Sequence, residues 1–248
     1  MVDFPVVVFV VSLVILWLSA QTGLYACRRR GKLEEDERAD LSIIFGATLT
    51  LLALIIGFTF SMAIARYDRR QDDEAAEANA VGTQFARAGM LGRVDAVRMR
   101  ELLREYLEQR VLFYTTRSGS RLQQIHASTA RLQNDLWSAV LALPAPQPSP
   151  VMISGMNDVF NTQRSTQAAW WNRIPPAAWV MMIAIGICCN YLVGFTARRS
   201  ETKVRRFFVL PLIVSISFLL IADIDSPRAG LIRVRPQNLE SLSSTLPQ

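Results

Sequence analysis

The stretch LSIIFGATLTLLALIIGFTFSMAIA, residues 41–65, carries no charge and runs directly into Arg66-Tyr67-Asp68-Arg69-Arg70. A hydrocarbon core about 30 Å thick takes about 20 apolar residues in helical form, because no water is present to satisfy an exposed backbone. Residues 41–65 are therefore read as a membrane span. Outward from it, residues 4–26 and 177–197 are equally free of charge. A shorter apolar block, 207–222, is followed at once by Asp223 and Asp225. The chain is 248 residues long, 51% of them hydrophobic, and the apolar residues are gathered into these four blocks with the charge between them. The expected fold is all-α: four transmembrane helices, a long helical extramembrane segment at 66–176 between the second and third spans, and a C-terminal tail at 223–248.

The first block is not read as a cleaved leader. Met1-Val2-Asp3 supplies no basic residue ahead of it, and the block is longer than a leader's apolar region. Leu24-Tyr25-Ala26-Cys27 matches a lipoprotein cleavage box poorly at Tyr25, so an uncleaved anchor is expected. Cys188 and Cys189, as neighbours on a helix, point to different faces and suit neither a disulfide nor a shared metal. Formal net charge is +6. The basic residues flank spans, where anchoring and anionic-lipid contact put them, and no aromatic-basic patch of a nucleic-acid binder is present. Counting Lys and Arg in short loops places 27–40 and 198–206 in the cytoplasm, with 66–176 outside. Arg66, Arg69 and Arg70 at the end of the second span argue the other way.

Within 66–176, apolar residues at Val81, Phe85, Val94, Val97, Leu103, Leu107 and Val111 follow a helical rhythm, with Gly82, Gly89 and Gly92 marking a kink. Asp68, Asp72, Asp73, Glu74 and Glu77 are read as the acidic start of that helix, where carboxylates meet the positive dipole end. Leu122, Ile125, Thr129, Leu132, Leu136, Val140 and Leu143 form a clearer stripe that wants a partner helix. The prolines of 144–150 favour an extended spacer. A third helix is expected over 151–171, with Met152, Met156, Val159, Phe160 and Gln163 on one side. Trp170, Trp171 and Trp179 read as an interfacial aromatic belt. Glu34-Glu35-Asp36-Glu37 reads as a solvated loop. No set of residues points to an enzyme: His126 stands alone, and no phosphate loop, nucleophile elbow, zinc motif or cofactor site is found.

Three stretches taken together carry a resemblance. They are Gly57-Phe58-Thr59-Phe60-Ser61-Met62-Ala63-Ile64-Ala65-Arg66-Tyr67-Asp68-Arg69-Arg70, then Asn172 to Pro176, then Asp223-Ile224-Asp225-Ser226-Pro227-Arg228-Ala229-Gly230. In this order, and at membrane boundaries, they resemble the bestrophin-like family of bacterial membrane proteins, which is distantly similar to the bestrophin ion channels. The resemblance implies a multi-pass protein of the bacterial inner membrane and a homo-oligomer in the bilayer, pentameric as bestrophins are, that conducts inorganic ions. It places Thr50, Leu54 and Phe58 on a pore-lining face of the second span, at i, i+4 and i+8. It makes Arg66, Tyr67 and Asp68 a boundary motif, and Asp223 and Asp225 a reduced form of the acidic calcium cluster of animal bestrophins, with no metal expected. It also puts the helical segment in the cytoplasm, against the short-loop rule. The alternative to a channel is a non-conducting scaffold or sensor that binds a partner through its helical segment.

Overall fold

The computed structural model describes residues 5–30, 35–143, 150–196 and 208–246, with eight helices and no strand among them. The helices are α1 (Pro5–Arg30), α2 (Glu35–Ala88), α3 (Arg93–Thr115), α4 (Gly119–Leu141), α5 (Pro150–Trp171), α6 (Pro176–Phe195), α7 (Val209–Asp225) and α8 (Gln237–Thr245). Among the described residues, three stretches are long and apolar enough to cross a membrane: Pro5–Arg30, Asp36–Ala88 and Pro150–Phe195. Most of the proline spacer, 144–149, and the basic loop 198–206 lie outside the described residues. Of the run Glu34-Glu35-Asp36-Glu37, expected as loop, Glu34 lies outside the described residues and Glu35, Asp36 and Glu37 instead open α2.

The described residues form two compact units. The first takes residues up to Ala65 together with Arg173–Ile232. Its centre is the seam between α1 and α6, built from small residues. A Cβ at Gly23 would strike the Tyr191 carbonyl, and one at Gly194 would strike the Ala20 carbonyl. Leu16 sits against Gly186, and the Ser19 hydroxyl donates to the Ile187 carbonyl at 2.8 Å. Pairing positions that rise together along both helices makes α1 and α6 parallel. Among apolar surroundings no hydrophobic force drives such a seam, so close backbone approach and an interhelical hydrogen bond hold it. Cys189 is buried and Cys188 exposed, on different faces as expected.

The second unit takes Arg66–Asn172 and Arg233–Gln248. Residues 223–248 are thus divided: those through Ile232 belong to the first unit and those from Arg233 to the second. The α4 stripe is its clearest element, with Ile125, Thr129, Leu132, Leu136 and Val140 all buried. Met152, Met156 and Val159 of α5 and Leu103 and Leu107 of α3 join the same core.

Four expectations for this segment are corrected. No helix begins at Asp68 to Glu77; these residues lie inside α2, which runs unbroken from Glu35 to Ala88. The glycines at 89 and 92 do not kink a helix but end one. Gly89, Met90 and Leu91 donate to the carbonyls of Ala86, Arg87 and Ala88 in a tight turn, and α3 starts afresh at Arg93. That restart resets the helical phase, so Val94 and Val97 are 82% and 52% exposed rather than inward. Trp170 is not part of a belt: it is buried, with its ring centroid 4.8 Å from Phe113 and 5.5 Å from Tyr114.

Gly194→Leu should cost at least about 1–3 kcal/mol through overpacking of the α1–α6 seam. The measurement is the thermal unfolding midpoint in detergent. Gly119→Ala, where nothing lies within 4 Å of the added Cβ, should leave that midpoint unchanged within about 0.5 kcal/mol.

Candidate pore-lining face

Helix α2 gives its apolar stretch little cover. Only 6% of its most apolar window is buried, against 22% in α1. The inward positions are Leu52, Thr59 and Ala63. Thr50, Leu54 and Phe58 share one face, as their spacing requires, and all three are exposed, Phe58 at 65%. Thr50 is the polar member, yet its hydroxyl donates to the Gly46 carbonyl at 2.9 Å. That closes its hydrogen bond within the helix and lets its methyl face outward, so the face presents an apolar surface throughout.

Beyond Ala65 the same helix is held by polar contacts on another face, within the second unit. The Arg66 guanidinium donates to the Asn172 side-chain oxygen. One turn on, Arg70 is buried and donates to the carbonyls of Ala169 at 3.2 Å and Asn172 at 3.3 Å. These are the orphan carbonyls at the end of α5, so Arg70 both caps that helix and meets its negative dipole end. Asp73 accepts from Ser165 at 2.9 Å and pairs with Arg69 at 3.3 Å. Glu74 meets α8: the Leu239 backbone N–H donates to it at 2.9 Å and the Asn238 amide at 2.6 Å. That places a carboxylate at the positive end of α8.

Glu77 completes the face. It pairs with Arg110 of α3, both side chains fully buried, and also accepts from Tyr114 at 3.3 Å and Thr166 of α5 at 3.1 Å. Burial pulls the Arg110 pKa down, but the Glu77 charge more than restores it and the net shift is upward. Burial, then the Glu77 charge, pushes the Tyr114 and Tyr106 phenols well above their ordinary range, so both stay neutral, and Tyr114 keeps the proton it donates to Glu77.

The boundary motif therefore divides. Arg66 meets Asn172, Tyr67 packs against the core of the second unit, and Asp68 is exposed. The acidic motif divides too. Asp223 accepts from the backbone N–H groups of Leu231 at 2.7 Å and Ile232 at 2.8 Å, closing the turn after α7. Asp225 accepts from the Ile174 N–H at 3.1 Å, beside the start of α6. A Cβ at Gly230 would collide with the Asp223 carbonyl, which accounts for the glycine in that motif.

Sequence reading missed Arg70, Glu74, Glu77 and Arg110 as interior residues. The signal was present for three of them: Arg66, Arg70, Glu74 and Glu77 follow one another at steps of four, four and three.

A sequence model described as a Bestrophin-like domain matches residues 6–239. The chain belongs to the Bestrophin-like family. No curated protein sequence matches it. Among solved structures, a point mutant of a bacterial bestrophin homologue from Klebsiella pneumoniae is similar with a TM-score of 0.63 at 11% identity, covering 97% of this chain and 96% of that one. A further structure of the Klebsiella homologue gives 0.60 at 12% identity, over 98% and 100%. At such identity the likeness establishes a shared fold, and residue roles come from this chain's own geometry.

Removing one member of the buried pair in this Bestrophin-like chain, by Arg110→Met, should cost about 3–5 kcal/mol, because Glu77 is left charged and uncompensated. Glu77→Met combined with Arg110→Met should cost less than the sum of the two single changes. Unfolding midpoints of the three variants decide this; additive losses would count against a coupled pair.

Proposed function

We propose that the protein is a pentameric ion channel of the bacterial inner membrane, with α2 lining the pore. The observation that carries this reading is the uncovered apolar face of α2 at Thr50, Leu54 and Phe58. An apolar helix whose best spanning window is 6% buried within its own chain is a helix that neighbouring copies complete. Gly57 adds to this. Nothing lies within 4 Å of where its Cβ would be, so packing within the chain does not explain a residue that costs a helix about 1 kcal/mol relative to Ala. Close approach of another α2 would. A ring of such faces forms an apolar constriction that gates by dewetting.

The reading takes four spans, residues 4–26, 41–65, 177–197 and 207–222, with 66–176 as the extramembrane segment. The parallel run of α1 and α6 supports it, since an even number of crossings must separate equivalent ends of parallel spans. Helix α7, with 17 residues, reaches about 26 Å at 1.5 Å per residue, close to the hydrocarbon thickness.

A second reading is a non-conducting scaffold that binds a partner through the helical segment. It is favoured by the exposed apolar group Met90, Val94 and Val97 around the start of α3. The two separate by measurement. Purified protein in planar bilayers should show discrete conductance steps, and Phe58→Ala should alter their open probability. Silence across salts and pH, with oligomer mass that of a single chain, would remove the channel and leave the scaffold.

A further inference from the structure

Among the described residues, α1, α2 and α6 all lie within stretches long and apolar enough to cross a membrane. Between them, inside the first unit, lies an open groove of about 730 Å³. As α1 rises from Ile15 to Thr22 and α6 from Ala184 to Leu192, α2 descends from Leu51 to Ile44. The groove therefore runs lengthwise along the spans. Thr50, Leu54 and Phe58 are not among its walls.

Where the groove stops decides what can fill it. Ile15 is the middle of the uncharged stretch 4–26. From Ile15 to Ala26 is about 16 Å of helix, half of a hydrocarbon core about 30 Å thick. The groove thus occupies one leaflet, at the end of α1 that carries Arg28, Arg29 and Arg30. A helix from a second copy crosses both leaflets, whereas an acyl chain ends at the midplane. The lining is suited to a chain. The Ser19 hydroxyl donates to the Ile187 carbonyl at 2.8 Å, Thr22 to the Ser19 carbonyl at 2.8 Å and Thr48 to the Ile44 carbonyl at 2.7 Å. With those protons held by backbone carbonyls, the three side chains turn hydrocarbon to the groove.

The chemistry changes at the outer end. Ile15, Leu18, Thr22, Tyr25 and Arg29 are spaced three, four, three and four along α1, so they share one face. Tyr25 is exposed, and the Arg29 guanidinium lies 4.8 Å from its ring centroid. Stacking uses the face of a guanidinium and leaves its edge N–H groups for an anion. Arg30 pairs with Glu37 at 3.0 Å, which ties the start of α2 to this end of α1 and takes up that carboxylate. Asp36 and Asp40 are exposed on α2, so an anion is directed to the α1 side. The face is apolar in its depth, aromatic at its rim and cationic beyond.

We infer that this groove binds a phospholipid of the surrounding leaflet, with one acyl chain between α1, α2 and α6 and the phosphate on Arg29. The site needs these helices to lie in a bilayer and does not depend on conduction.

The test is native mass spectrometry of the full-length protein in detergent, titrated with dioleoylphosphatidylglycerol or with dioleoylglycerol, which has the chains and no phosphate. The native chain should hold one phosphatidylglycerol per copy. Ala184→Trp, which fills the groove from an exposed wall position, should weaken both probes by more than about tenfold, since two methylenes kept from burial already account for that. Val6→Trp, exposed on α1 and outside the groove, should change neither. Arg29→Gln, at the exposed end of α1, should weaken phosphatidylglycerol about fivefold and leave dioleoylglycerol unchanged. Equal retention by Ala184→Trp and the native chain overturns the site. A fall in oligomer mass with Ala184→Trp also overturns it, because the groove is then a contact with a second copy. An Arg29→Gln chain that loses both probes alike, or neither, overturns the placement of the phosphate.

Discussion

The pairing of Glu77 with Arg110 sets the terms for the whole second unit. Two charges in a fully buried site each lose several kcal/mol of hydration, and the loss is offset only when geometry and hydrogen bonding leave little unmet. Glu77 meets that condition through α3, by Arg110 and Tyr114, and through α5, by Thr166. Each donor comes from a different turn, so the carboxylate is satisfied at one register of the three helices. An apolar core tolerates sliding; this cluster does not. The aromatic cluster of Phe113, Tyr114 and Trp170 then packs around it, with the Arg110 guanidinium 4.4 Å from the Phe113 ring centroid.

The elements that the sequence made legible are those whose pattern has a single physical cause. The α4 stripe is one, because its apolar residues repeat without interruption and all face one core. The apolar blocks are another, since charge is excluded from them for one reason. The α2 continuation was hidden because two causes overlap at Ala65 and Arg66. A change from apolar to charged residues looks like a helix end, yet no glycine or proline breaks the backbone there. The charges that follow have partners 33 to 165 residues away in sequence, such as Arg110, Ser165 and Leu239, which no local pattern reveals. Val94 and Val97 were misplaced for a related reason. A rhythm counted through Gly89 and Gly92 assumes one phase, whereas α3 buries Ala96, Met99 and Leu103 from its own start.

For the candidate site, the shared face of Thr50, Leu54 and Phe58 was legible from spacing alone. The exposure of that face was not, because burial depends on what the rest of the chain covers. The acidic pair was legible as a motif but not in its use. Asp223 and Asp225 serve backbone N–H groups at the two ends of the α6–α7 stretch, and a sequence holds no record of which N–H groups need an acceptor.

The two long faces of α2 follow opposite rules. On one, Arg66, Arg70, Glu74 and Glu77 each have a partner within the chain, so charge there is structural and its removal is a matter of stability. On the other, Thr50, Leu54 and Phe58 are exposed among the described residues and carry no charge. In the apolar stretch even a threonine turns its hydroxyl back to its own helix. Past Ala65, Asp68 and Asp72 stand exposed.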